Sequence, residues 1–254
     1  MKLKSIYKYL VCQSGKSYLI FVGILLAIMH IGLFITVLLE SNGGIGGMEM
    51  ATLTYMLVSG IVIYRESLSV SMQNGISRRT FFIGSILTFI TISLIASAGD
   101  VVINLLGNTY EKHCNMIYDS MYEQFFMKGF YDENVIVTPA LSDYFKIFIF
   151  DFIVYITVST IGLTISVILY RLSKALKIII PIGFLFICQI LSVVIPYIDY
   201  KFFDNKFMNK LIPCLQWMVE SIYHLMAVIS CAAVIFIFIS FLFIRRVPLN
   251  DSKK

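Results

Sequence analysis

The chain has 254 residues, of which 59% are hydrophobic and only 14% charged, with a mean hydropathy of +0.87. Soluble domains run at roughly 45–50% apolar and about 25% charged, so this composition excludes a water-soluble monomer. The formal net charge of +5 falls at the ends of apolar runs, which accounts for it better than a nucleic-acid partner does.

The first element, 2–17, carries Leu3, Ile6, Tyr7, Leu10 and Val11 at helical spacing, with Lys2, Lys4 and Lys8 off that stripe. Such a basic amphipathic segment is expected to lie along the inner membrane surface; the plainer alternative is a positively charged anchor. Within it, Ser14-Gly15-Lys16-Ser17 resembles the end of a phosphate-binding loop, but G-x-x-x-x-G-K-[ST] requires Gly where Leu10 stands. ATP binding by this chain is therefore not expected.

Six stretches approach the roughly 20 apolar residues a bilayer requires. They are 18–39, 48–64, 81–106, 145–170, 178–198 and 218–244. The first is too long for a signal-peptide core and is followed by no small-residue cleavage site, so it reads as a retained helix. The fifth opens on Pro181, tolerated in a first helical turn. The fold class expected is an all-α membrane protein of six transmembrane helices, a single domain with a short N-terminal surface helix. Fourteen of the twenty Lys and Arg residues fall at the two termini and in the connections after the second and fourth spans, against only Glu66 and Asp251. The excess of positive charge on cytoplasmic segments puts both termini in the cytoplasm.

Between spans two and three, 65–79 reads as a short helix set between two long ones. Leu68 and Met72 share one helical face, Asn74-Gly75 is a helix stop, and Ser77 can cap the next helix. A plain loop is the alternative. The outer connection 107–144 holds Glu111, Asp119, Glu123, Asp132 and Glu133 among aromatic residues, and 116–130 could form a surface helix. Residues 202–217, with Pro213, read either as a re-entrant piece or as an interfacial loop.

Ionisable residues inside spans are costly and face protein or water. Asp100 and Asp151 each stand about six residues from the outer end of their spans, and Asn104 shares a helical face with Asp100. Gln189 lies mid-span in the fifth helix, and Glu220 and His224 are spaced four apart near the start of the sixth. Two readings stand for this set: a polar vestibule traversed by a cationic or amphipathic substrate, or local pairing such as Asp151 with Lys146. His30 reads as a packed, hydrogen-bonded histidine.

Little points to catalysis. His30, His113 and His224 are far apart and none belongs to an H-E-x-x-H motif. Ser97-Ala98-Gly99 is a poor nucleophile turn, and Glu220 with His224 is the nearest approach to a catalytic pair. Cys12, Cys114, Cys188, Cys214 and Cys231 form no C-x-x-C; Cys114 and Cys214, both assigned outside, are the one pair that could meet. A non-catalytic subunit with no catalytic residue, metal site or cofactor of its own is expected.

The run from Gln73 to Gly84, Gln-Asn-Gly-Ile-Ser-Arg-Arg-Thr-Phe-Phe-Ile-Gly, resembles a stretch of type-2 ABC transporter permeases of Gram-positive bacteria, where an NGISR-like turn leads into the third membrane helix. The layout of a basic amphipathic start, six spans and inner termini is similar to that family throughout; the textual likeness covers about a dozen residues. The long outer connection lies between spans three and four here, and between five and six in the family. The resemblance implies a permease subunit of an ATP-driven exporter in the bacterial plasma membrane, forming half of a translocation path. A second permease copy or a paralogue completes it, and two separate ATPase subunits supply ATP and Mg chemistry. It implies an ATPase contact through Glu66, Leu68, Ser69, Met72, Gln73, Asn74, Gly75, Arg78 and Arg79; the vestibule reading of the polar residues makes Asp100, Asn104, Asp151, Gln189, Glu220 and His224 the expected substrate path. Small permeases of this kind resemble exporters of amphipathic or antimicrobial peptides, phenol-soluble modulins included. Export of a drug, lipid or polysaccharide, or a role as a membrane-embedded scaffold or sensor, are the alternatives.

Overall fold

A computed structural model of the chain describes residues 2–38, 44–114, 117–127, 139–170 and 208–245. The fifth expected span, Gln189 within it, and Cys188 lie outside the described residues. The order is α1 (Lys2–Leu38), β1 (Gly44–Gly46), α2 (Met48–Gln73), α3 (Arg78–Cys114), β2 (Ile117–Asp119), a π-helical turn (Glu123–Met127), α4 (Leu141–Tyr170), α5 (Met208–Glu220) and α6 (Ile222–Arg245). Among the described residues the bundle is helical, as expected, save for one three-residue parallel pair in which Gly44, Ile45 and Gly46 register with Ile117, Tyr118 and Asp119.

Among the described residues, four helices are long and apolar enough to cross a membrane: α1, α3 (over Arg78–Tyr110), α4 and α6. By length and composition the chain is a multi-pass membrane protein. The second expected span belongs to α2, which is not among the four; Glu49, Thr52, Thr54 and Ser59 dilute its apolar character.

The helices differ from the sequence expectation in three places. Residues 2–38 form one uninterrupted helix, about 55 Å long at 1.5 Å per residue, so no joint separates a surface segment from a span. Its N–H groups at Ser14–Ser17 are committed to the helix, the opposite of an open phosphate-binding loop. The separate short helix expected over 65–79 does not exist, because α2 continues unbroken to Gln73. The sixth span does not start at 218: the helix breaks at Ser221, whose carbonyl accepts from His224 N at 3.1 Å and Leu225 N at 3.2 Å as α6 begins.

The expected stop and start signals operate. Gly75 takes φ +67°, the left-handed conformation glycine adopts without a Cβ penalty. Gly75 N then reaches Met72 O at 2.9 Å and Ile76 N reaches Ser71 O at 3.0 Å, occupying carbonyls at the end of α2. Ser77 Oγ accepts from Thr80 N at 3.2 Å at the start of α3.

α1 packs on α3, α2 on α4, and α4 on α6, with α3 also against α4. One apolar core gathers Ile6, Leu10, Tyr64, Phe81 and Leu163. A second gathers Tyr18, Met56, Phe150 and Tyr155. Lipid tails are as apolar as leucine, so helix contact inside a membrane relies on close packing and hydrogen bonds. The α4–α6 seam shows this: Thr164 Oγ1 and Ser240 Oγ stand 2.7 Å apart, and Thr157 Oγ1 donates to Ile229 O at 3.3 Å.

Candidate functional site

Two regions concentrate polar side chains, one at each level of the bundle. The first lies at the basic end, where α1 begins, α2 turns into α3, and α6 ends. Lys2 Nζ donates to Gly75 O at 2.8 Å. Arg78 Nη1 donates to Arg245 O at 3.4 Å, covering a last-turn carbonyl of α6. One tight turn is thus held by the first residues of α1 and itself holds the end of α6.

Among residues assigned to a partner contact there, Glu66, Ser69, Gln73, Asn74, Gly75 and Arg79 are exposed and Arg78 is half-buried. Leu68 is not available: it is buried in the core with Ile6, Leu10 and Tyr64. Met72 packs on that same core. The shared face read for Leu68 and Met72 is real, and it points inward.

The second region lies between α2, α3 and α4. Asp100 and Asp151 are each 2% exposed and Asn104 is fully buried. Asp100 Oδ1 accepts from Thr52 Oγ1 at 3.0 Å, and its Oδ2 accepts from the Tyr155 hydroxyl. Asn108 Nδ2 donates to Asn104 Oδ1 at 2.8 Å and to Tyr144 Oη at 3.0 Å. Asp151 Oδ2 has no hydrogen-bond partner among the described residues. Glu49, Asp100 and Asp151 lie within electrostatic reach of one another.

Asp100 and Asp151 are therefore brought together, as their sequence positions suggested, although α3 and α4 extend past the expected span ends. Asp100 stands about 21 Å along the axis from the last residue of α3, and Asp151 about 15 Å from the first of α4. Lys146 does not neutralise Asp151. It forms an ion pair with Asp143 at 2.9 Å near the start of α4.

Glu49, Thr52, Tyr155 and Glu123 belong to this region and were not singled out in the sequence. Tyr155 carried a signal, standing four residues after Asp151 and so on its helical face. Glu123 carried another: Ser120-x-x-Glu123 is a capping box, with Ser120 N donating to Glu123 Oε2 at 2.9 Å and Glu123 N to Ser120 Oγ at 3.1 Å. Of the surface helix expected over 116–130, the described residues show a strand at Ile117–Asp119 and a π-helical turn at Glu123–Met127, with the box at the start of the turn. Met121 N donates to Glu49 Oε2 at 3.3 Å, and Met121 and Tyr122 are buried. Glu49 itself gave no sequence signal; its burial depends on this long-range lid.

The remaining candidates fall elsewhere. Glu220 ends α5 while His224 belongs to α6, so their four-residue spacing does not make a shared helical face. His224 stacks on Trp217 with ring centroids 4.2 Å apart, and its Nδ1 lies 2.9 Å from Trp217 O. His30 is hydrogen-bonded as expected, with Nδ1 2.7 Å from Leu26 O and Nε2 3.1 Å from Tyr110 Oη, but it is exposed and not packed in the core. Cys12, Cys214 and Cys231 are free and exposed; the Cys114 side chain lies outside the described residues. Among the described residues no three His, Cys, Asp or Glu side chains are placed to hold a metal ion.

Two cavities formed by described residues lie near these regions. One of about 300 Å³ lies at the basic end between α1 and the α2–α3 turn. The other, a shallow apolar groove of about 700 Å³, runs between α3 and the start of α4, lined by Val101, Leu141, Tyr144, Phe145 and Phe148. No protein-family model, no curated protein and no solved structure matches the chain.

Proposed function

We propose that the chain is the permease subunit of an ATP-driven exporter of the ABC type, with six spans and both termini at the cytoplasmic face of a bacterial plasma membrane. The observation that carries the reading is the joining of four helices at one basic turn between α2 and α3: Lys2 of α1 bonds to Gly75, and Arg78 bonds to the end of α6. A partner pressing on that turn acts on α1, α2, α3 and α6 together. The exposed side chains of Glu66, Ser69, Gln73 and Arg79 give a mixed polar, charged surface of the kind that fits a soluble ATPase. The partner binds ATP and Mg, and a second permease copy or a paralogue completes the path.

The substrate class that fits best is an amphipathic peptide. The groove of about 700 Å³ offers apolar and aromatic wall. Asp100 neighbours Val101 in sequence but is buried between α2, α3 and α4 and does not line the groove, so the groove supplies the apolar half of this recognition alone.

Purification of the tagged chain from its native membrane in mild detergent tests the reading. The expected result is a co-purifying ATPase whose capture falls by more than about tenfold, or roughly 1.4 kcal/mol, in Arg78→Glu/Arg79→Glu. A well-folded chain that brings down no nucleotide-hydrolysing partner overturns the proposal and leaves a scaffold or sensor.

A further inference from the structure

We propose that the cavity between the start of α1 and the α2–α3 turn is a binding site for the phosphate of an anionic phospholipid headgroup. This does not depend on the transporter reading; it requires only that the bundle sits in a membrane.

The cavity measures about 300 Å³. Its polar lining is Lys2, Ser5, Tyr9, Ser71 and Asn74, and no carboxylate is among its lining residues. A wall of donors with one cation and no anion selects an anionic ligand. Lys2 spends one of its three ammonium hydrogens on Gly75 O, which fixes the side chain at the cavity and leaves two for a ligand. The first turn of α1 also begins here. Its N–H groups have no intrahelical acceptor, and the helix dipole places partial positive charge at that end.

A second, independent observation points to a missing partner. Ser71 lines the cavity, is only 2% exposed, and its Oγ makes no hydrogen bond among the described residues. Buried hydroxyls are ordinarily satisfied. A phosphate oxygen seated between Lys2 and Ser71 supplies the acceptor.

The apolar walls decide between a lipid and a free ion. Ile6, Val70 and Ile76 line the same cavity, and inorganic phosphate has no apolar part to place against them. A phosphodiester continuing into glycerol and acyl chain does. The cavity also lies at an end of helices long enough to span, the level at which headgroups stand.

The test uses the full-length protein, delipidated in non-ionic detergent, with lipid adducts counted by native mass spectrometry. Dioleoylphosphatidylglycerol is compared with dioleoylphosphatidylcholine, each with and without millimolar inorganic phosphate. The expected result is a phosphatidylglycerol adduct weakened about tenfold by Lys2→Gln, as loss of a charge-assisted hydrogen bond implies, and weakened to a lesser degree by Ser71→Ala. Helical content by circular dichroism confirms that both variants fold. Displacement of the adduct by inorganic phosphate supports the phosphate site and overturns the assignment to lipid. Equal adducts with both lipids, unchanged by either substitution, overturn the proposal entirely.

Discussion

Gly60 of α2 and Gly162 of α4 close on each other until there is no room for a methyl group on either. A Cβ at Gly60 would stand 2.3 Å from Ser159 O, and one at Gly162 would stand 2.3 Å from Leu57 O. Both obstacles are backbone, which cannot rotate aside. Gly60→Ala and Gly162→Ala are each expected to cost about 1–3 kcal/mol, read as a lower thermal unfolding midpoint in detergent. Gly23→Ala is the control: nothing lies within 4 Å of its added Cβ, and helix propensity favours alanine by about 0.5–1 kcal/mol.

The bond from the Tyr155 hydroxyl to Asp100 gives a second test. Tyr155→Phe keeps the ring, removes the donor, and leaves Asp100 with the Thr52 hydroxyl alone. A loss of about 1–3 kcal/mol is expected for the orphaned buried acceptor. In the double variant Tyr155→Phe/Asp100→Asn the losses should not add, with a coupling of about 0.5–3 kcal/mol. Strict additivity would show that the two side chains do not interact.

At the α2–α3 turn, Gly75→Val should destabilise by about 1–2 kcal/mol, because its φ of +67° forces a Cβ towards the carbonyl. Gly75→Asn should be tolerated better, since asparagine visits that region readily. Equal effects of the two would remove backbone conformation as the reason for glycine there.

Leu68 and Arg79 separate folding from partner binding. Leu68→Ala should cost about 2–5 kcal/mol as a core truncation, because the side chain is buried among Ile6, Leu10 and Tyr64. Arg79→Glu, on the exposed side, should leave the unfolding free energy within about 0.5 kcal/mol of wild type while capture of an ATPase falls. The converse pattern would place the partner surface elsewhere.

For the buried acids, Asp100→Asn and Asp151→Asn should insert and express normally, since each keeps its shape without requiring a charge in a low-dielectric site. If these side chains line the cargo's route, export of a cationic amphipathic peptide from inverted vesicles falls in both. Unchanged export sinks that role and leaves them as packing residues.

Much of this was legible in one dimension because its cause is local. The positive φ at Gly75, the cap at Ser77 and the apolar runs of α1, α3, α4 and α6 are each set by a few consecutive residues. The shared neighbourhood of Asp100 and Asp151 followed from helical spacing and from adjacent helices. What escaped was tertiary. Glu49 is buried only because Met121 folds over it, and Gly60 shows its purpose only when Gly162 lies opposite. The inward turn of Leu68 escaped because α2 was expected to end sooner. The break at Ser221 had no local signal, for α5 runs through Pro213 and on to Glu220.

α1 is pinned to α3 at three heights, by Tyr7 to Thr91 at 2.8 Å, Tyr18 to Ala96 at 3.4 Å and His30 to Tyr110 at 3.1 Å. Two rods joined by three rungs move as a plank. α2, α4 and α6 form a second plank, riveted by Gly60 against Gly162 and by Thr164 against Ser240. Asp100 belongs to the first plank, while the hydroxyls that hold it, on Thr52 and Tyr155, belong to the second. Shear between the planks must tear both bonds from one buried acid, along with those from Asn108 to Tyr144 and from Arg78 to Arg245, so Asp100 is one clasp among several that resist sliding within the bundle.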